Sequence, residues 1–459
     1  MNTKLILLVL SLGTLMAAVD TTIVLLALPT ITLDLHTDLL DSIWVLLSYL
    51  LVLAVLTTQT GRIGDIVGRS RIYNSGFIIF TLASALAGAS ANVYELIGFR
   101  ILQAIGGAML TANSNAIIAD VFPPNERGKA YGITTLGWNI GALLGIVLGG
   151  ILTTFFGWRF IFYINVPIGI VAVILGLKQL KDVNKVKASL DISGAILLGI
   201  SLTLISISVM FIAASGITTE YLIELIIGLL FLPAFIFNEM KVKMPIINLS
   251  IFKIRLLSFS LISSFLQGVG SLAITFLLIM YLQGVRGLSP LGSSLLLTPS
   301  YIIASVLAPF MGRRADRGSP GVIAGIGLLF IFVSLMLYYV LLTPSTPLYD
   351  ILWISAITGI GSSMFWPSNA AAIMFLAPKQ YYGAVSGISR TLGSIGTALS
   401  YVLSISVATL SIPRYVAFEI LLGTNALDPK TGAVFVNGLH FAFLISAVII
   451  VAAAIFSFI

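Results

Sequence analysis

The stretch 61-GRIGDIVGRSR-71 separates two uncharged apolar runs, and a relative of it, 312-GRRADRG-318, does the same in the second half of the chain, 251 positions later. Gly128, Gly132 and Ile133 recur as Gly383, Gly387 and Ile388 at an offset of 255. A Gly/Arg/Asp cluster placed alike in two halves of an apolar chain reads as internal duplication.

The chain has 459 residues, of which 58% are hydrophobic and 9% charged. A soluble domain carries roughly a quarter of charged residues, so most of this surface must face lipid. The net charge of +7 would suit a nucleic acid, yet the positive residues form no basic stripe. They lie in the gaps between apolar runs, so membrane lipids are expected as partners and nucleic acid is not. Cys is absent and His36 and His440 stand far apart, so neither a metal site nor a cofactor is expected. The segment Lys4–Ala18 imitates a signal peptide, but its apolar run continues past Asp20 to Leu28 and reads as a retained first helix.

A bilayer core of about 30 Å takes about 20 helical residues. Fourteen stretches qualify, beginning near residues 5, 42, 72, 94, 131, 159, 191, 219, 256, 290, 320, 350, 384 and 437. They are twice the length of a barrel strand and lack its alternation, so the fold class expected is an all-α integral membrane protein. With the N-terminus inside, 18 of the 24 Lys and Arg residues fall on one side. That side collects Arg62, Arg69 and Arg71, Lys178 to Lys187, Lys241 to Arg255, and Arg313 to Arg317. Such a bias puts both termini in the cytoplasm.

The offsets match spans two, three and five with ten, eleven and thirteen, a shift of eight helices where a twelve-span duplication would shift by six. Two helices are therefore inserted between six-helix halves. The expected domains are an N-terminal bundle (1–180), two inserted transmembrane helices (181–245) and a C-terminal bundle (246–459). A central cavity is expected between the halves.

Several strings, in order and at matching helix ends, carry a resemblance. They are 19-VDTTIVLLALP-29, the 61–71 segment, 100-RILQAIGGA-108, 157-GWRFIFYINVPIG-169 and 281-YLQGVRGLSPLGSSLLLTP-299. The chain resembles the fourteen-span drug:proton antiporters of the major facilitator superfamily over nearly its whole length. Ala104 and Ile146 stand where that family usually has Gly and Pro, so span five is expected to bend less.

Asp20 lies about 15 residues into an outward-running helix, roughly 22 Å from the inner surface. A charge there costs about 2.5–3.5 kcal/mol on insertion scales, so Asp20 should face a wet cavity or a partner. Burial favours the neutral form of a carboxyl, which suits a group that loads and unloads a proton. Arg100 enters span four from outside to a compatible depth. The resemblance implies that both serve proton coupling. The plainer readings are an Asp capping the helix end and an Arg bonded to backbone carbonyls.

The resemblance also implies a cytoplasmic gate made by Gly61, Gly64, Asp65, Arg69 and Arg71, with Gly312, Arg313 and Asp316 in the second half. A generic positive-inside loop would explain the arginines but not the matched acids. Gly132, Gly141, Gly145 and Gly149 keep to one face of span five and resemble the family's glycine motif, although small-residue packing alone accounts for much of that pattern. Tyr49, Gln103, Trp138, Asn139, Asn165, Gln267, Phe365, Trp366 and Arg390 are candidate cavity-lining residues. Asp120 and Asp191 read as helix-end groups.

The function expected is secondary active export of hydrophobic or cationic amphiphilic compounds from a monomer in the plasma membrane, driven by proton entry and alternating access. Export of a lipid or lipophilic metabolite, and uptake by proton symport, fit the same scaffold. A membrane-embedded enzyme would need clustered His, Asp or Glu at one face, which the sequence lacks, and no nucleotide-binding P-loop is present. A scaffold protein would not need Asp20 and Arg100 at matched depth.

Overall fold

The computed structural model describes residues 3–410 and 429–459, apart from 123, 182–189, 216, 244, 246, 248, 318 and 378–381. In the first half, α1 (Thr3–Asp34), α2 (Leu39–Val67), α3 (Arg69–Gly88), α4 (Val93–Val121) and α5 (Pro124–Phe155) are followed by the short α6 (Phe160–Tyr163) and α7 (Asn165–Gln179). Next come α8 (Ile192–Ser215) and α9 (Thr219–Lys241). The remainder is α10 (Arg255–Met280), a π turn at Tyr281–Val285, α11 (Pro290–Arg317), α12 (Pro320–Leu341), α13 (Leu348–Leu376), α14 (Tyr382–Leu410) and α15 (Pro429–Phe458). Among the described residues there is no strand.

Polar groups set the helix boundaries. The Asp38 carboxylate accepts the Asp41 amide at 2.8 Å to start α2. Asn92 caps α4 at the Glu95 amide, 2.9 Å, while the Glu95 carboxylate reaches back to the Ala91 amide at 2.9 Å. This is a reciprocal cap that satisfies two otherwise orphaned donors. Between these ends the helices are apolar on all sides, and outward residues such as Ile226, Leu230 and Phe237 of α9 stay exposed, as a hydrocarbon surround requires. Among the described residues, twelve helical segments are long and apolar enough to cross a membrane, with α6 and α7 counted as one. The long helices α3 and α14 fall outside those twelve.

One expectation is corrected. The 61–71 segment is no loop: α2 continues through Val67, and the chain turns at Gly68 alone, where φ is +130°. Only glycine adopts that backbone readily. The second cluster likewise lies within α11 up to Arg317. Continuing the helix keeps backbone donors paired and stacks Gly61 and Gly64 on one face.

The chain divides into two compact units, residues 1–196 with 241–246, and 197–240 with 247–459. In the first, α1 packs along α5 and α7, α2 and α3 along α4, and α3 along α7. In the second, α10 packs along α14 and α15, α11 and α12 along α13, and α12 along α15. The pairings are the same under the shift of eight spans. The closest contacts repeat too. A Cβ on Gly76 would meet the Gly106 carbonyl at 3.0 Å, and one on Gly327 would meet the Gly361 carbonyl at 2.7 Å. These pairs keep the 251 and 255 offsets found in the sequence.

Candidate functional site

The site begins with a glycine seam. Cβ atoms added at Gly137, Gly141, Gly145 and Gly149 of α5 would lie 3.1, 2.6, 2.7 and 3.0 Å from the carbonyl oxygens of Ser11, Leu15, Val19 and Ile23 on α1. Every fourth residue of each helix thus touches the other's backbone, an approach that small residues allow. Thr14 and Thr22 donate across the seam to the Thr134 and Ala142 carbonyls, each at 3.2 Å. Gly137 extends the series one turn before Gly141, and the surroundings of Gly132 lie outside the described residues. Ile146 is fully buried.

The seam fixes Asp20, one residue beyond Val19. Asp20 is fully buried and Arg100 is 1% exposed. Arg100 Nη1 donates to Asp20 Oδ2 at 2.5 Å and to Gln103 Oε1 at 2.6 Å, and its Nε donates to the Val45 carbonyl at 3.0 Å. Gln103 Nε2 donates to Asp20 Oδ1 and to Ser84 Oγ, both at 2.8 Å. The guanidinium carbon lies 4.2 Å from the Tyr49 ring centre and 5.8 Å from that of Phe162. Both carboxylate oxygens of Asp20 are therefore engaged, by a cation and an amide that sit on one face of α4 three residues apart. Such charge-assisted bonds are what make a buried pair tolerable.

Depth alone brought Asp20 and Arg100 together in the sequence, and the structure joins them. Gln103 and Tyr49, candidates for a cavity wall, belong to this cluster. Ser84 was missed, because a serine in an apolar helix carries no periodic signal. The second bundle has no such ion pair at the matching positions. Ser355, offset 255 from Arg100, donates to the Leu296 carbonyl at 3.2 Å, and Leu296 is offset 251 from Val45. The carbonyl contact is common to both repeats; the charged pair occurs in the first.

At the end of the first unit that carries the 61–71 segment, a Cβ on Gly64 would overlap Asn113 Oδ1 at 1.9 Å, and one on Gly61 would meet Ala112 Cβ at 3.6 Å. The counterpart in the second unit is Gly312, 3.6 Å from Pro367 Cβ. Arg69 pairs with Asp120 at 2.7 Å, their side chains 23% and 15% exposed. Asp120 is thus more than a helix-end group. The side chains of Asp65 and Asp316 lie outside the described residues. Arg71 is exposed, and Arg313 rests 5.9 Å from the Phe310 ring. Because the Arg69–Asp120 pair is partly wet, a double-mutant cycle with Arg69→Gln and Asp120→Asn should return a coupling of about 1 kcal/mol or less in thermal unfolding.

Gln59 and Arg62, also on α2, bond the chain just before α8 and just after α9. Gln59 Nε2 donates to the Asp191 carbonyl at 3.0 Å and its Oε1 accepts the Asp191 amide at 3.2 Å. The Asp191 carboxylate caps α8 at the Gly194 amide, 2.8 Å, as its place at the helix end foretold. Arg62 Nη2 donates to the Pro245 carbonyl. Gln59→Leu removes both of its bonds to the Asp191 backbone, so hydrogen exchange at residues 190–196 should rise while α3 and α4 stay protected, with a cost of about 1–3 kcal/mol.

At the opposite end Asp34 accepts from Trp158 Nε1 at 2.9 Å and from Arg159 at 2.5 Å. Of the other candidates, Asn165, Gln267 and Phe365 are buried, Asn139 is half-buried, and Trp138, Trp366 and Arg390 are exposed. Phe365 sits in the α12–α13 seam, its amide 2.8 Å from a Cβ placed on Gly327.

Comparison with known proteins accords with this architecture. The Major Facilitator Superfamily family model matches residues 10–401. The chain is 34% identical over 398 residues to the riboflavin transporter RibZ of Clostridioides difficile, covering 86% of each. It is 31% identical over 418 residues to multidrug resistance protein 3 of Bacillus subtilis, covering 89% of this chain and 80% of the relative. Its fold is shared with a D-xylose–proton symporter at a TM-score of 0.68 and 14% identity, over 100% of this chain and 97% of that one. The chain belongs to the major facilitator superfamily, as a multi-pass transporter of the cell membrane and not an enzyme.

Proposed function

We propose that the protein is a proton-coupled exporter of hydrophobic or cationic amphiphilic compounds, a member of the fourteen-span drug:proton antiporter branch working as a monomer. In this reading two six-helix bundles flank an inserted α8–α9 hairpin, both termini are cytoplasmic, and transport proceeds by alternating access without a cofactor. The buried Asp20–Arg100 pair, present in one repeat only, carries the proposal.

The chemistry follows from what each group can do. Arg100 keeps its charge, so only Asp20 can change state. Ionised, Asp20 ties α1 to α4 through Arg100 and Gln103. Protonated, it forfeits the ion pair, and α1 is freed from α4. One carboxyl thus holds either a proton or an arginine, and alternation between the two links proton entry to helix movement. The proton gradient supplies about 2.3 kcal/mol per charge per 100 mV. Asp20 has no exposed surface in this state, so a substrate acts on it through the helices and not by contact. The Arg69–Asp120 pair and the Gly64 contact close the cytoplasmic end in the same scheme.

A second reading is favoured by the 34% identity to a riboflavin transporter: transport of a flavin-like heterocycle, with uptake by symport on the same machinery. Inverted membrane vesicles acidified inside separate the two. An exporter accumulates ethidium in the lumen as protons leave, and collapsing the gradient releases it. Accumulation of neither ethidium nor riboflavin, together with gradient-driven riboflavin loss from preloaded vesicles, would establish the symporter.

A further inference from the structure

Asn165 opens α7 and is fully buried, and neither its amide nitrogen nor its amide oxygen has a protein partner. Buried amides are almost always paired, since an unmade bond costs about 1–3 kcal/mol. Asn165 does not serve as a cap, because the preceding Ile164 is already helical at φ −60° and ψ −28°. Its side chain is therefore held in place for something outside its own helix.

Its position is fixed by the packing of α6 and α7 on α3. Cβ atoms added at Gly176 and Gly169 would overlap Asn74 and Thr81, and one at Gly88 would overlap Tyr163. Asn165, between Gly169 and Tyr163, thus faces the stretch between Thr81 and Gly88. Ser84 lies in that stretch and accepts from Gln103. Phe162, one turn before Asn165 on the same buried stripe, is 5.8 Å from the Arg100 guanidinium. The titratable or charged groups around this point are Asp20 on α1, Tyr49 on α2, Arg100 on α4 and Tyr163 on α6. Asp34 and Arg159 form the next pair, at the end of the bundle.

We propose that Asn165 is a positioning residue, the second acceptor that receives the Arg100–Gln103 donors when Asp20 is protonated. The inference rests on the proton-coupling reading. An arginine released from a carboxylate inside the bundle must find another oxygen, and the Asn165 amide oxygen is buried, unengaged and on the adjoining wall. In the structure Arg100 rests on Asp20; the other arrangement moves a side chain and no proton through the amide.

The test is a pH titration of the protonated-carboxyl infrared band in purified protein, with the Asp20 band identified by its loss in Asp20→Asn. Asn165→Leu removes the second acceptor and should shift the midpoint of that band to lower pH. Asn165→Asp is nearly isosteric and offers Arg100 a rival anion, so it should shift the midpoint to higher pH. A purely structural role would change thermal stability and leave the midpoint unmoved in Asn165→Leu, since the charge added in Asn165→Asp raises the midpoint by repulsion in any case. If Asn165→Leu does not fold, Asn165→Ala takes its place with the same downward shift expected. A midpoint that stays put or rises on loss of the amide overturns the role of Asn165 and leaves proton coupling standing. A wild-type protein with no Asp20 band that titrates removes both.

Discussion

Arg100→Met should unfold at a markedly lower temperature than the wild type and should not transport against a pH gradient. The side chain fits the space, but its loss strands Asp20 in an apolar bundle without a cation. Breaking a buried pair by removing one partner costs about 3–5 kcal/mol. Asp20→Asn with Arg100→Met should recover much of that loss, because the expense lies in the unpaired charge and not in the missing contact. The cycle is read by thermal unfolding in detergent. A double variant no more stable than Arg100→Met would mean that the 2.5 Å pair is not what binds α1 to α4.

The α1–α5 seam predicts a second large effect, from a neutral change. At Gly141 a Cβ would meet the Leu15 carbonyl at 2.6 Å and Ala18 Cβ at 2.9 Å, and at Gly145 it would meet Thr22 Oγ1 at 2.0 Å. Backbone cannot yield as a flexible side chain does, so Gly141→Val forces the helices apart. Overpacking of this kind costs about 1–3 kcal/mol, and it also displaces Asp20, which is anchored five residues from Leu15. Transport should fall at least tenfold. Gly149→Ala, with contacts no shorter than 3.0 Å, should be milder. Gly98→Ala, where a Cβ meets nothing within 4 Å, should be neutral or gain about 0.5–1 kcal/mol from helix propensity. Equal effects at Gly141 and Gly98 would show that the seam does not position the site.

Much of this was legible in the chain because lipid imposes coarse rules. Apolar runs of span length required helices and set their order along the chain. The start of each helix falls within a few residues of its expected place, except α5 and α15, which begin well before their apolar runs at Pro124 and Pro429. There polar residues begin the helix before its apolar run. The duplication was legible because glycines needed at close contacts keep their spacing, and the Gly76–Gly106 and Gly327–Gly361 contacts show what that spacing protects.

The rest depended on register between helices, which no run of residues records. Asp120 reads as a helix-end acid in the sequence, and only packing of α3 on α4 brings it to Arg69. Gln59 drew no reading from the sequence, yet its amide grips both backbone groups of Asp191, 132 positions away. Ser84 and the Val45 carbonyl entered the Asp20 cluster in the same way, through neighbours that sequence does not name. Asp20 and Arg100 were foreseeable because a charge deep in an apolar run has few places to go.

The account depends on Asp20 exchanging a proton for Arg100 when the transporter changes state. Proton release into weakly buffered detergent solution, on adding ethidium and then riboflavin to the purified protein, measures that exchange most directly. The account predicts release with the transported compound, close to one proton per molecule, and none from Asp20→Asn that still binds it. Equal release from Asp20→Asn, or binding without release in the wild type, would contradict it.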